Sequence, residues 1–293
     1  MYIKELYENK KGIISFEVFP PKAESALEAI TGSLAQMASL KPGFISVTYG
    51  AGGTGNNKMT TQIASLIKNT LGTVPMAHLT AVAASFSEIA ETLDELKANN
   101  IKNIMALRGD LPEGFSGKAA GDFNYAYELI EFIKTRGDFC CGGAFYPEGH
   151  ITCENLEKGF EHAYIKQQAG ADFLISQLFF DNEKYYAYVD KAEKKGITIP
   201  LVPGIMPILG KSQVQRMIFQ CGVSLPSSII RILHKYENSP EDLQKAGIEY
   251  ACNQIQELIE RGHKNIHVYS MNKPAIAIAC KARFDQLTDK GEI

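Results

Sequence analysis

A chain of 293 residues, 45% hydrophobic and 22% charged, has an ordinary globular composition and room for one large barrel or two small domains. Its net charge of −3 makes it no magnet for a phosphate backbone, so no nucleic acid is expected as a partner. No run approaches the ~20 apolar residues of a membrane span, the polar start MYIKELYENKKG lacks the core of a signal peptide, and the six cysteines form no CxxC pair. A soluble, reduced, cytoplasmic protein is expected, with no membrane association.

Eight apolar runs follow one another along the chain. They are GIISFEVFP (12–20), GFISVTYG (43–50), PMAHLTA (75–81), NIMALRG (103–109), FCCGGAFYP (139–147), FLISQLFF (173–180), PLVPGIMPI (200–208) and NIHVYSMN (265–272). Helical patterns separate them. SFSEIAETLDELKANN (85–100) sets Ile89, Leu93 and Leu96 on one face, with Ser85 placed to cap its start. NEKYYAYVDKAEKKG ends in lysines and a glycine, the usual stop signals. Extra helix is expected over roughly 211–262.

Strands alternating with helices imply a parallel sheet, and near-continuous apolar strands imply cover on both faces. The length suits a single-domain (β/α)₈ TIM barrel over residues 1–293. A doubly wound sheet would want a Gly-rich turn after its first strand, where this chain has EVFPPK.

A barrel of this kind carries its site at the C-terminal ends of the strands. Polar residues converge on that end: Glu17, Thr48 and Tyr49, His78 and Thr80, Arg108-Gly109-Asp110, Tyr146 and His150, Gln177, then His267, Tyr269 and Asn272. Each alone has a plain explanation. His78 suits a satisfied core histidine, Arg108 and Asp110 suit a mutual pair, and the Arg-Gly-Asp string would read as an adhesion motif only in a secreted protein. Glu17 stands apart, since Phe16, Val18 and Phe19 surround it in the chain, and such a carboxylate is costly unless paired or protonated. The histidines lack metal-ligand spacing, so no metal is expected, and neither a GxSxG elbow nor a Walker loop occurs.

Taken in order, SFEVFPPK, SVTYGAGGT, HLT, ALRGDLP, YPEGH, QLFFD, VPGIMPI and YSMNK resemble the strand ends of the short bacterial methylenetetrahydrofolate reductases, from about residue 12 to about residue 280. The resemblance implies a cytoplasmic FAD-dependent barrel that reduces 5,10-methylenetetrahydrofolate to 5-methyltetrahydrofolate with NADH or NADPH, by ping-pong hydride transfer, and so feeds methionine biosynthesis. It implies a homo-oligomer, often a tetramer in that family. Glu17 matches the family's general acid, whose pKa an apolar setting would raise, and Asp110 matches the residue that holds the pterin. The FAD site would be lined by Tyr49, Ala51, His78, Arg108, Gly109, Asp110, Tyr125, Ala126, Tyr146, His150, Cys153 and Lys166. Thr48 and Gln177 would touch the nicotinamide cofactor, and Gln177, Gln213 and Lys273 the folate. Two positions depart from the pattern: Lys273 stands where the family often has arginine, and Met217 where some members carry an aromatic. Two alternatives remain open: another FAD-dependent barrel resembling proline dehydrogenase, or a flavin- or folate-binding protein without turnover.

Overall fold

The computed structural model describes residues 1–8, 11–21, 27–49, 57–109 and 121–289. The eight apolar runs become nine parallel strands: β1 (Ile14–Val18), β2 (Ile45–Val47), β3 (Pro75–Thr80), β4 (Asn103–Leu107), β5 (Cys140–Phe145), β6 (Phe173–Ser176), β7 (Leu201–Val202), β8 (Gly204–Ile205) and β9 (Ile266–Tyr269). Within β1 to β7 each strand pairs with its neighbour in chain order, and β1 also pairs with β9. The seventh expected strand is split. β7 pairs with β6, then Pro203 intervenes, and β8 pairs with β9. Proline has no N–H to continue the ladder toward β6. Its carbonyl instead accepts from His267 N at 3.0 Å, and Gly204 N donates to the Ser176 hydroxyl at 2.8 Å. The broken strand thereby carries the barrel across from β6 to β9.

The helices are α1 (Ile3–Tyr7), α2 (Leu27–Ser39), α3 (Asn57–Ser65), α4 (Phe86–Ala98), α5 (Ala126–Arg136), α6 (Leu156–Gln168), α7 (Asn182–Lys194), α8 (Lys211–Cys221), α9 (Ser227–Lys235), α10 (Pro240–Glu260) and α11 (Pro274–Thr288). α4 forms as its sequence predicts: Ser85 caps it, Glu88 reaches back to Ser85 N at 2.8 Å, and Ile89, Leu93 and Leu96 are buried. α7 stops at its lysines, with Gly196 beyond it at a φ of +82°. α8, α9 and α10 make up the extra helix between β8 and β9.

Strand alternation divides the core in two. Phe16, Val18, Ile45, Val47, Leu79, Ile104 and Val268 face the surrounding helices. Inside the barrel, at its N-terminal end, Ile13, Phe44, Met76, Met105, Phe173 and Ile175 pack together under α1. The Tyr7 ring meets Phe173 edge-on at 5.1 Å, and Ile3 N donates to Asn103 Oδ1 at 2.8 Å, closing that end. Among the described residues no helix is long and apolar enough to cross a membrane.

Candidate active site

The inward positions of the upper strands set the chemistry. Parallel register puts Glu17 of β1 level with Ser46 of β2 and Tyr269 of β9, and Ser15 level with His267. His78 and Thr80 face the same space from β3. Glu17 Oε2 lies 3.3 Å from His78 Nε2 and 3.5 Å from His267 Nε2, with the three side chains 17%, 8% and 1% exposed. His78 Nε2 is not aligned for a hydrogen bond, and Thr80 Oγ1 is likewise buried without a hydrogen-bond partner. On its far side His267 Nδ1 meets Ser15 Oγ at 2.8 Å, and that hydroxyl also reaches the Ile266 carbonyl at 3.1 Å. His267 lies against the Phe44 ring, centroids 5.7 Å apart, so its orientation is fixed from below.

Here the sequence reading needs correction. Burial pushes the Glu17 carboxyl up, but the His267 and His78 imidazoles outweigh it and hold the carboxyl below its ordinary value. The apolar neighbours Phe16 and Val18 point outward into the helix layer, where they cannot desolvate the carboxylate. His78, in turn, is pushed down, first by burial and despite the opposing pull of Glu17.

This cluster is the floor of a cavity of about 810 Å³. Thr48 and Tyr49 line it after β2, and Arg108 and Gly109 after β4. Gly109 has a φ of +85°, and a Cβ built on it would come 2.7 Å from Val82 Cγ1. The position therefore needs glycine both for its backbone and for the tight approach to β3. Arg108 Nε donates to the Gly109 carbonyl at 3.2 Å.

The opposite wall follows β5 and β6. Tyr146, His150 and Cys153 line it from the loop before α6, and Gln177 from the end of β6. Thr152 N donates to His150 Nδ1 at 3.1 Å, which leaves the neutral ring's proton on Nε2. Lys166 of α6 donates to the Ala144 carbonyl at 2.6 Å, and burial followed by the charge of Arg108 pushes its ammonium down to about 8. Tyr125 and Ala126 enter from the start of α5. Tyr125 stacks with Tyr127 at 5.0 Å and with His162 of α6 at 5.2 Å.

Sixteen of the sequence-derived candidates thus meet on one cavity: Glu17, Thr48, Tyr49, His78, Thr80, Arg108, Gly109, Tyr125, Ala126, Tyr146, His150, Cys153, Lys166, Gln177, His267 and Tyr269. Ala51 and Asp110 lie outside the described residues. Gln213 and Lys273 are not on the cavity wall. The Gln213 amide is engaged within its own segment, accepting from Leu209 N at 2.7 Å and donating to the Pro207 carbonyl at 3.1 Å. Lys273 precedes α11, at the same end of the barrel. Sequence reading gave no role to Ser15, Ser46, Tyr127 or His162. Ser15 stands two residues before Glu17, and His162 four before Lys166, so strand and helix periods could have flagged both.

The arrangement offers two cations for an anionic ligand, aromatic and backbone surfaces for a flat one, and one carboxylate that can exchange a proton with its neighbours. Comparison with known proteins agrees with that chemistry. A family model described as methylenetetrahydrofolate reductase matches residues 2–282. The chain is 34% identical to a 5,10-methylenetetrahydrofolate reductase of Pectobacterium carotovorum subsp. carotovorum, over 91% of this chain and 88% of that one. It is 33% identical to a probable methylenetetrahydrofolate reductase (NADH) of Oryza sativa subsp. japonica, covering 94% of this chain and 48% of the relative, so it spans about half the length of that plant protein. A solved structure of an uncharacterised Clostridium thermocellum protein, described as binding two copies of 5-methyl-5,6,7,8-tetrahydrofolic acid, shares the fold with a TM-score of 0.68 at 14% identity, covering 99% of this chain and all of that one. With the family model matched across nearly the whole sequence, the chain belongs to the methylenetetrahydrofolate reductase family.

Proposed function

We propose that this chain is a cytoplasmic, homo-oligomeric FAD enzyme that reduces 5,10-methylenetetrahydrofolate to 5-methyltetrahydrofolate with NADH or NADPH, supplying the methyl group for methionine synthesis. The observation that carries the reading is one cavity holding a carboxylate between two imidazoles together with the cations Arg108 and Lys166, in a chain of this family. The residues present fit the flavin. The cations suit a diphosphate, Gly109 lets backbone approach a flat ring, and the buried Thr80 hydroxyl lacks a hydrogen-bond partner. FAD, when bound, supplies a two-electron carrier that takes a hydride from the nicotinamide and gives it to the folate.

The protein's own part is the proton. Methylenetetrahydrofolate is a closed ring and a poor hydride acceptor. Protonation at N10 opens it to a cationic iminium, and Glu17 is the acid positioned to do this. In the open cavity its carboxyl lies low, so it rests ionised at neutral pH. Covering it with flat ligands removes its water and strengthens burial, the largest influence on it, which lifts the carboxyl toward the range where it can hold and deliver a proton. His267, held by Ser15, and His78 are the two imidazoles within reach of it. Asp110 would receive the pterin edge, Gln177 would serve both ligands through an amide that donates and accepts, and Gln213 and Lys273 would meet the folate outside the cavity, Lys273 as a point charge for its glutamate tail.

The proline-dehydrogenase-like alternative is disfavoured by the family match. Binding without turnover would give the Glu17 cluster no task. The test is to release the bound flavin from purified protein, identify it by chromatography, and assay reduction of methylenetetrahydrofolate with each nicotinamide. FAD and folate-dependent oxidation of NADH or NADPH are expected. A colourless protein, or one inert toward the folate, overturns the reading.

A further inference from the structure

Two segments beside the mouth come from distant parts of the chain. The loop between β5 and α6 brings Tyr146, His150 and Cys153 to the cavity. α8 lies behind the cavity: Tyr269, which lines it, packs on the apolar cluster that contains Val214 of α8, and Met217 packs against the same cluster. A hydrogen-bonded contact joins the two segments. Both carboxylate oxygens of Glu148 accept from Ser224 N, at 3.2 and 3.1 Å, just past the end of α8. Beside that contact Gly222 ends α8 with a φ of +66°, and a Cβ built there would come 4.0 Å from Ile151 Cβ. Glu148 itself does not line the cavity.

We propose that Glu148 is a positioning residue that clasps the end of α8 to the flavin-side loop, through the Ser224 backbone N–H, and so sets how α8 packs behind Tyr269 and with it the folate-binding geometry. The inference rests on the folate-reduction reading above. Its chemistry is simple. The Ser224 N–H is exposed, and a carboxylate is a stronger acceptor for it than water. The contact stands apart from the hydride-transfer cluster at Glu17, so it governs where α8 sits and leaves the reacting groups alone. Gly149 and the turns around it, Gly149 N to the Tyr146 carbonyl at 3.0 Å and Cys153 N to the His150 carbonyl at 2.8 Å, give the loop the stiffness a clasp requires.

The test uses the purified holoenzyme. Glu148→Ala removes the acceptor and should raise the KM for methylenetetrahydrofolate by about three- to tenfold, the range of one hydrogen bond of this type. Flavin content and flavin reduction by the nicotinamide should hold. Glu148→Gln keeps an acceptor oxygen and should restore most of the affinity. Ser224→Ala keeps the N–H and should be silent, while Ser224→Pro removes it and should behave as Glu148→Ala. Independently of any substrate, hydrogen exchange across 211–224 should quicken in Glu148→Ala and stay slow in Glu148→Gln. Unchanged exchange in Glu148→Ala overturns the clasp. So does a Gln variant as impaired as the Ala variant. If the wild-type protein does not reduce the folate, the functional reading fails on its own, and the exchange comparison still decides the clasp.

Discussion

The two ends of the barrel are built on opposite rules. At the N-terminal end, polar groups are satisfied and apolar ones interlock. Asn103 accepts from Ile3 N and donates to the Pro75 carbonyl at 3.1 Å, and Asp172 accepts from Cys141 N at 2.8 Å and from Lys134 Nζ at 2.8 Å. Tyr7 Oη is the exception there. At the C-terminal end, Thr80 Oγ1 and His78 Nε2 are buried without hydrogen bonds, beside the Glu17 carboxylate. Buried polar atoms left unpaired are costly, so a fold keeps them where a ligand completes them. One end therefore holds the barrel together and the other is arranged for what enters it.

Substitutions should separate the ends cleanly. The largest effect is expected at Glu17. Glu17→Gln should keep its flavin and still accept electrons from the nicotinamide, yet lose roughly 10²- to 10⁴-fold in the folate half-reaction, the contribution of a positioned acid. Stopped-flow traces of each half-reaction check this, and an unimpaired folate step removes Glu17 from the acid's role. At the closed end, Phe173, fully buried against Tyr7, should behave conversely. Phe173→Ala should lower stability by about 3–5 kcal/mol in chemical denaturation, with the folate step intact in protein that remains folded. Comparable damage to both properties from either substitution would break the division.

Lys166 carries the next effect. Its ammonium is pushed down to about 8, first by burial and then by Arg108, below its ordinary 10.5. The folded apoprotein gives up this proton before the unfolded chain does, so Lys166 destabilises the fold below about 8, and that penalty is relieved as pH rises toward 10.5. Binding of a diphosphate has the opposite sign, because it uses the charged form. FAD affinity of the apoprotein, followed by flavin fluorescence, should fall as pH rises through about 8. In Lys166→Met it should be weaker, by about tenfold, and lack that dependence. A pH-independent wild type would show that Lys166 takes no part in holding the flavin. The smallest effect belongs to the scaffold: Ser85→Ala removes the cap of α4 and should cost about 1 kcal/mol of stability, with both half-reactions unchanged.

Much of this contrast was legible in the sequence. The apolar runs gave the strands and their order, because parallel strands covered on both faces leave little room for polar residues. The break at Pro203 was hidden, since two-residue strands carry no periodicity. Glu17 was found for a reason that proved incomplete. Its chain neighbours are apolar, but alternation turns Phe16 and Val18 outward, and its true companions come from β3 and β9. Those partners lie 61 and 250 residues away in sequence, so only the closed barrel shows that His78 and His267 bracket one carboxylate. Gln213 and Lys273 came from family resemblance alone, and neither reaches the cavity wall.

The central claim is that one mouth serves two ligands in turn. Under the proposed function, the nicotinamide and the folate would each lay a flat ring against the flavin in turn, within the cavity of about 810 Å³ floored by Glu17, His78 and His267. The most direct measurement is a grid of initial rates over both substrates with the flavin-loaded enzyme. The shared site predicts parallel double-reciprocal lines, with each substrate inhibiting competitively against the other at high concentration. Intersecting lines would mean that both ligands bind together, and would contradict it.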